Sequence, residues 1–320
     1  IYGDTNEESN PSTVGRNFNN HFSTSNINTK GEIKDLSEKY NSASDVSPTA
    51  GQMPRLLGLA QASKIVRQKP ALKKHLQNNV NGNEVAFGSI GDASTSEGVF
   101  FETINAAGVM QVPLAVAIYD DGFGISVPIE LQTTKSSISE ALKGFEKEEG
   151  TNGVSIYKCK GWDYQALVKT FAYGISKCRT SQTPAVFHIY EVTQPQGHST
   201  SGSHERYKTK ERLAWEKEFD GIKQMRKWLL ESGIADEEML EELEKNTRKR
   251  VKEAREIAWR NFANGYLKEK NELKEILFKI NNKSKLNIET LNDFEKITQK
   301  SFPTRRSFLS FAKRLSLENH

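Results

Sequence analysis

The feature that most limits how this chain can fold is an alternation. Short, almost purely apolar runs recur between longer segments with a helical period. The runs are EVAFGSIGD (84–92), VPLAVAIYD (112–120), VSIYKCKG (154–161) and PAVFHIYEV (184–192). A continuous apolar run stopped by Gly or Asp reads as a buried strand; a strand with one wet face would alternate polar and apolar residues instead. Between the runs lie SEGVFFETINAAGVM (96–110), ISEALKGFEKE (138–148) and DYQALVKTFAYGISKCR (163–179). The first of these has Ser96 in place for an N-cap, with Glu97 and Glu102 nearby. The last sets Leu167, Phe171 and Ile175 on one face. A further helix is expected over SPTAGQMPRLLGLAQASKIV (47–66), with Pro54 in its first turn. Strands that alternate with helices predict an α/β fold, a parallel sheet covered by helices on both faces.

Outside that pattern the chain changes character. Residues 1–45 are rich in Asn, Ser, Thr and Gly without a period and are expected to form a polar lead-in or loop. The α/β domain is expected over 46–210. From 211 to 320 a helical extension is expected: Phe219, Ile222, Met225 and Leu229 follow helical spacing up to Gly233, and a charged amphipathic helix runs over 239–262. Net charge is +4, and the basic residues of the extension interleave with Glu, so a solvated face is expected rather than a nucleic-acid stripe. No apolar run approaches the roughly 20 residues of a membrane span, and no signal-like segment opens the chain. Cys159 and Cys178, with no CxxC spacing, fit a reducing compartment. A soluble, cytoplasmic protein of bacterial type is expected. Because it begins at Ile1, it is read as a fragment or a processed chain.

In an open parallel sheet, ligands bind beyond the carboxyl ends of the strands. Asp92 ends the first run and Asp120–Asp121 the second, so these acids can converge on one cation. Mg²⁺ takes oxygen ligands and commonly one or two carboxylates completed by phosphate and water. A helix starting near Ser96 would aim amides at an anion there. Acid–glycine pairs also serve as turns and caps, and the residues alone leave the two uses level. Other phosphate motifs fail: GSIGDASTS has no P-loop lysine, and no GxGxxG follows Gly122–Phe123–Gly124. GHSTSG does not match a GxSxG nucleophile elbow.

The order GDASTSEG…ETINAAG…VPLAVAIYDDGFGIS, together with SPTAGQMPRLLGLA, QGHSTSGSHERYK and WEKEFDGIKQMRKWLLESGIADEE, resembles the thiamin-diphosphate-dependent 2-oxo acid dehydrogenases. The likeness is to the α subunit, or the α half of a fused α/β form, of the branched-chain and pyruvate types, over roughly residues 14–265. It implies the thiamin-diphosphate-binding fold with thiamin diphosphate and Mg²⁺ as cofactors. It implies Asp92, Asp121 and the carbonyl of Phe123 as metal ligands, with Ala93 and Ser94 along the diphosphate. Ile125 would support the bent cofactor, Ser47 and Thr49 would approach its ring, and His198 would be a catalytic histidine on a loop at the active centre. Ser199 matches a serine that is phosphorylated in some relatives.

The implied reaction is decarboxylation of a 2-oxo acid, branched-chain first and pyruvate second, with acyl transfer to a lipoyl-bearing acyltransferase core. The β half would supply the activating glutamate in an α2β2-type assembly, so this chain alone is expected to be inactive. A silent scaffold partner and a transketolase-type transferase are the alternatives. Two departures stand out. Asp121 replaces an Asn, and Tyr119 stands where some relatives carry Arg, so compensating cations are expected from Arg16, His198 or residues upstream.

Overall fold

The structure, a computed structural model, describes residues 27–28, 30–33, 48–73, 83–198, 204–284, 287–299 and 305–318. Four strands, β1 (Ala86–Gly91), β2 (Leu114–Tyr119), β3 (Ser155–Lys160) and β4 (Ala185–Tyr190), form one sheet in the order β1-β2-β4-β3. Every neighbouring pair is parallel. β2 lies inside, and Leu114 to Ile118 are all at 0% exposure, which is why VPLAVAIY carries no polar residue. β1 is an edge strand whose residues alternate, with Ile90 buried and Phe87 exposed.

Helices cover both faces. α1 (Gln52–Gln68) and α2 (Gly98–Met110) bring Met53, Ala60, Phe100 and Ile104 against Ile90, Val116, Ile118 and Val186. α3 (Tyr164–Ser181) packs Phe171, Ile175 and Cys178 against Ala115 and Phe187 on the opposite face. There the rings of Phe171 and Phe187 stack with centroids 4.4 Å apart. Full burial of a side chain as large as Phe187 stabilises by about 2–3 kcal/mol relative to exposure. Asp163 starts α3 by accepting from the Ala166 amide at 2.9 Å.

Two expected helices differ. The segment 138–148 forms only a helical turn, Ile138–Ala141, and a 3₁₀ turn, Lys143–Phe145. The cause is backbone pairing: Val154 donates to the Phe145 carbonyl and Lys147 to the Val154 carbonyl, both at 2.9 Å, which draws the chain out of helix. Ser96 does not cap α2. It ends a 3₁₀ turn, Ala93–Ser96, and its hydroxyl donates to the Gln132 carbonyl at 3.0 Å, while α2 starts two residues later.

The described chain divides into two compact units, up to Glu237 and from Glu238 onward. α4 (Lys210–Glu218) and α5 (Gly221–Glu231), capped by Thr209 and Asp220, therefore belong to the sheet unit, and the expected 210/211 boundary falls inside it. The second unit holds most of α6 (Glu237–Ser284), with α7 (Ile288–Gln299) and α8 (Arg305–Glu318). Its core is Leu277, Phe294, Phe311 and Leu315. No helix among the described residues is long and apolar enough to cross a membrane.

Candidate functional site

The parallel register places the carboxyl ends of β1, β2 and β4 side by side, and the backbone stitches them past the last strand residues. Asp92 donates its amide to the Tyr119 carbonyl at 3.0 Å, and Asp120 to the Ile189 carbonyl at 2.9 Å. Val192 in turn donates to the Asp120 carbonyl at 2.9 Å. Asp92, Asp120 and Asp121 thus sit on adjacent, mutually fixed strand ends. Beyond Asp121 the chain turns through Gly122, at φ +79°, into a short hairpin of Phe123–Gly124 on Val127–Pro128. Gly124 is needed for close approach, because a Cβ there would lie 2.8 Å from the Ala93 Cβ.

These ends open into a cleft of about 570 Å³. Its lining includes Asp92, Ala93 and Ser94 from the first turn, and Asp121, Phe123 and Ile125 from the second. Thr49 and His198 reach it from the segment before α1 and the loop after β4. Ser47, Arg16 and Ser199 lie outside the described residues. Ile125 lies in the left-handed region at φ +60°, a costly conformation for a β-branched residue, and its side chain is exposed into the cleft. Tyr119 also lines the cleft.

The acids differ in what they do. Asp92 is 3% exposed, makes no side-chain cap bond, and leaves its Oδ2 without a partner among the described residues. Burial first, then the Asp120 and Asp121 charges, push its pKa up to about 7. Burial also raises Asp121, against the opposing pull of the Phe123 amide, Lys208 and Arg212. Asp120, by contrast, is fully used. Its Oδ1 accepts from the Gly122 amide at 2.9 Å and its Oδ2 meets His188 Nε2 at 2.8 Å. His188 Nδ1 meets Ser139 Oγ, also at 2.8 Å. An ionised carboxylate only accepts, so Nε2 carries the hydrogen that faces Asp120. This buried Ser139–His188–Asp120 chain holds the turn that carries Asp121.

Sequence reasoning missed Asp120's structural part and its partners. The signal was present: His188 is the one polar side chain in AVFHI, the fully buried part of its strand. It also missed the cations beside Asp121, Lys208 and Arg212; of the expected compensating residues, His198 lines the cleft and Arg16 lies outside the described residues. Arg212 and Glu216 are spaced i,i+4 on α4, a readable pairing, but nothing in the sequence tied it to Asp121.

Among the described residues no group of three His, Cys, Asp or Glu side chains could hold a metal alone. The donor set instead fits a hard cation shared with a phosphate-bearing ligand, with two carboxylates and a carbonyl, all oxygen, and open space beside them. An acid buried with an unpartnered oxygen beside two others is an arrangement a bound cation would relieve.

A family model for the dehydrogenase E1 component matches residues 16–264. The pyruvate dehydrogenase E1 component subunit alpha of Rickettsia bellii (strain RML369-C) is 24% identical over 176 residues, covering 55% of this chain and 51% of that protein. The mitochondrial 2-oxoisovalerate dehydrogenase subunit alpha 1 of Arabidopsis thaliana is 27% identical over 225 residues, 69% of this chain and 43% of that protein. The mouse (Mus musculus) mitochondrial 2-oxoisovalerate dehydrogenase subunit alpha is also 27% identical, over 216 residues, 67% of this chain and 44% of that protein. The chain spans about half the length of the curated relatives it matches. With the family model reaching across the sheet, both acidic turns and the His198 loop, this chain belongs to the dehydrogenase E1 component family, on its α-subunit side.

Proposed function

We propose that this chain is the α half of the decarboxylating component of a 2-oxo acid dehydrogenase complex, binding Mg²⁺ and thiamin diphosphate at the strand-end cleft. The observation that carries the reading is Asp92, a buried carboxyl with an unpartnered oxygen, lining one cleft with Asp121 and Phe123. Bound there, thiamin diphosphate would supply the electron sink that lets CO₂ leave a 2-oxo acid. The chain's own residues would bind and orient. The Asp92 and Asp121 carboxylates and the Phe123 carbonyl would hold the cation, and Ala93 and Ser94 would line the diphosphate. Ile125 and Thr49 would support the ring system. His198 would hydrogen-bond phosphate or move a proton at the reacting oxygen during acyl transfer.

A β half would complete the site with an activating glutamate, and a lipoyl-bearing acyltransferase core would accept the acyl group. Branched-chain 2-oxo acids are the first choice of substrate and pyruvate the second, and relatives of both types match the chain. A cytoplasmic location goes with this reading.

Calorimetric titration of thiamin diphosphate in excess Mg²⁺, with a β-type half present, tests it. Wild type is expected to bind, and Asp92→Ala to weaken binding by at least ~100-fold. No binding by wild type, or unchanged binding by Asp92→Ala, would sink the proposal.

A further inference from the structure

We infer that Lys208 and Arg212, held together by Glu216, are the built-in counter-charge of Asp121 and keep that acid compatible with a diphosphate-bearing ligand. The inference rests on the cofactor site proposed above and concerns how this chain tolerates a carboxylate there.

The three residues form a cluster on and just before α4. Lys208 has a fully buried side chain, and its Nζ donates to Glu216 Oε1 at 2.7 Å. Arg212 donates its Nε to the same oxygen at 2.9 Å. Two cations therefore share one carboxylate, and the cluster carries one positive charge more than Glu216 cancels. Lys208 and Glu216 are buried while Arg212 is 28% exposed, so the excess charge sits at the partly wet guanidinium, where a nearby anion would stabilise it.

The geometry points to Asp121 as that anion. Arg212 Nη2 donates to the Asp121 carbonyl at 2.7 Å, which anchors the guanidinium to this residue. The Lys208 Nζ and the Arg212 guanidinium stand over the Phe123 ring, 5.2 and 5.5 Å from its centroid, and the Tyr207 ring lies 5.6 Å from it. The turn bearing two of the proposed cation ligands is thus embraced by the cluster. With Asp121 neutralised from behind, Asp92 is left as the acid whose charge a metal must balance before diphosphate enters. Against a merely structural clamp, charge pairing makes a distinct claim: the bonds to Glu216 and the Asp121 carbonyl cost the same in both backgrounds, and a further loss on removing Arg212 should appear only while position 121 is charged.

The test is a double-mutant cycle of Arg212→Gln and Asp121→Asn on the full chain, read twice. Without cofactor, the thermal midpoint is followed by circular dichroism. With the β-type half and excess Mg²⁺, thiamin diphosphate affinity is measured by calorimetry. Arg212→Gln is expected to lower the midpoint and weaken binding on the order of tenfold in the wild-type background, and by a clearly smaller factor, about threefold, in the D121N background. Arg212→Lys, which keeps the charge, is expected to stay within about threefold of wild type. Equal losses in both backgrounds, or an Arg212→Lys loss as large as that of Arg212→Gln, would overturn the inference. Folding of Arg212→Gln only in the D121N background is the expected rescue, and failure in both overturns it. Coupling in the cofactor-free melts with no binding by wild type would leave the charge pairing standing and remove the cofactor reading.

Discussion

The two compact units handle polarity in opposite ways. Every polar or charged side chain found buried among the described residues belongs to the sheet unit, including Asp92, Asp120, Ser139, His188, Lys208 and Glu216. The helical unit from Glu238 buries Leu277, Phe294, Phe311 and Leu315 and leaves its charges at the surface, as in the Arg248–Glu244 pair. Burying polar groups costs free energy unless they are paired, and even paired ones seldom improve on an apolar core. The helical unit shows that this chain can pack without them. Those gathered at the strand ends, Asp92, Asp120 and His188, therefore mark where stability has been traded for a site.

The largest expected effect breaks that concentration at its best-satisfied point. His188→Leu removes the donor to Asp120 and leaves a buried carboxylate oxygen facing an alkyl group. A loss of about 3 kcal/mol is expected, read as a shift of the urea midpoint at unchanged slope. A cost near that of an ordinary apolar substitution would mean the Ser139–His188–Asp120 chain is incidental packing.

Asp92 sharpens the comparison through pH. Its pKa is raised from 3.8 to about 7 in the folded chain, so the folded state binds this proton more tightly than the unfolded state does. The stability it contributes is full below pH 3.8 and is lost as pH rises through about 7. Asp121 is raised too and acts in the same direction. Urea midpoints of the cofactor-free protein should therefore fall across that window, and Asp92→Asn should flatten the fall. Cation binding needs the deprotonated acid, so metal affinity should climb over the same range. An identical pH profile for wild type and Asp92→Asn would remove Asp92 from the account.

How much of this was legible in the sequence follows from the same physics. The four strands and α1, α3 and α5 were readable because a parallel sheet buried on both faces imposes unbroken apolar runs with amphipathic helices between them. Asp92 and Asp121 were readable as strand-end acids, but ligand and cap could not be separated: the deciding fact, a buried oxygen without a partner, exists only in three dimensions. The segment 138–148 read as helix because its pattern is local, while the pairing to Val154 that unwinds it is not. Lys208 and Arg212 lie some 90 residues beyond Asp121 in sequence, and no period connects them. The expected end of α6 at 262 fell short for a different reason, since Asn264–Gly265, a pair that commonly ends a helix, is carried inside it and the helix runs on to Ser284.

Two smaller effects test the helical unit, where no functional trade is expected. Leu277→Ala opens a cavity among Phe294, Phe311 and Leu315 and should cost that unit about 2–3 kcal/mol, with thiamin diphosphate affinity unchanged. A matching loss of affinity would show that the two units are not separable in function. Smallest of all is Arg248→Ala. Arg248 faces Glu244 at 3.5 Å with its own side chain 83% exposed, an i,i+4 pair in open solvent. Water screens the attraction and holding two long side chains costs entropy, so about 0.3 kcal/mol is the expected loss. It should vanish at 1 M salt, where the Debye length is only about 3 Å. The charge pairing inferred for Arg212 and Asp121, beside a guanidinium only 28% exposed, should survive that salt, so the two arginines of one chain separate a site's electrostatics from a surface's. If Arg212→Gln lost its effect in 1 M salt as Arg248→Ala does, the strand-end cluster would be no more than another solvated ion pair.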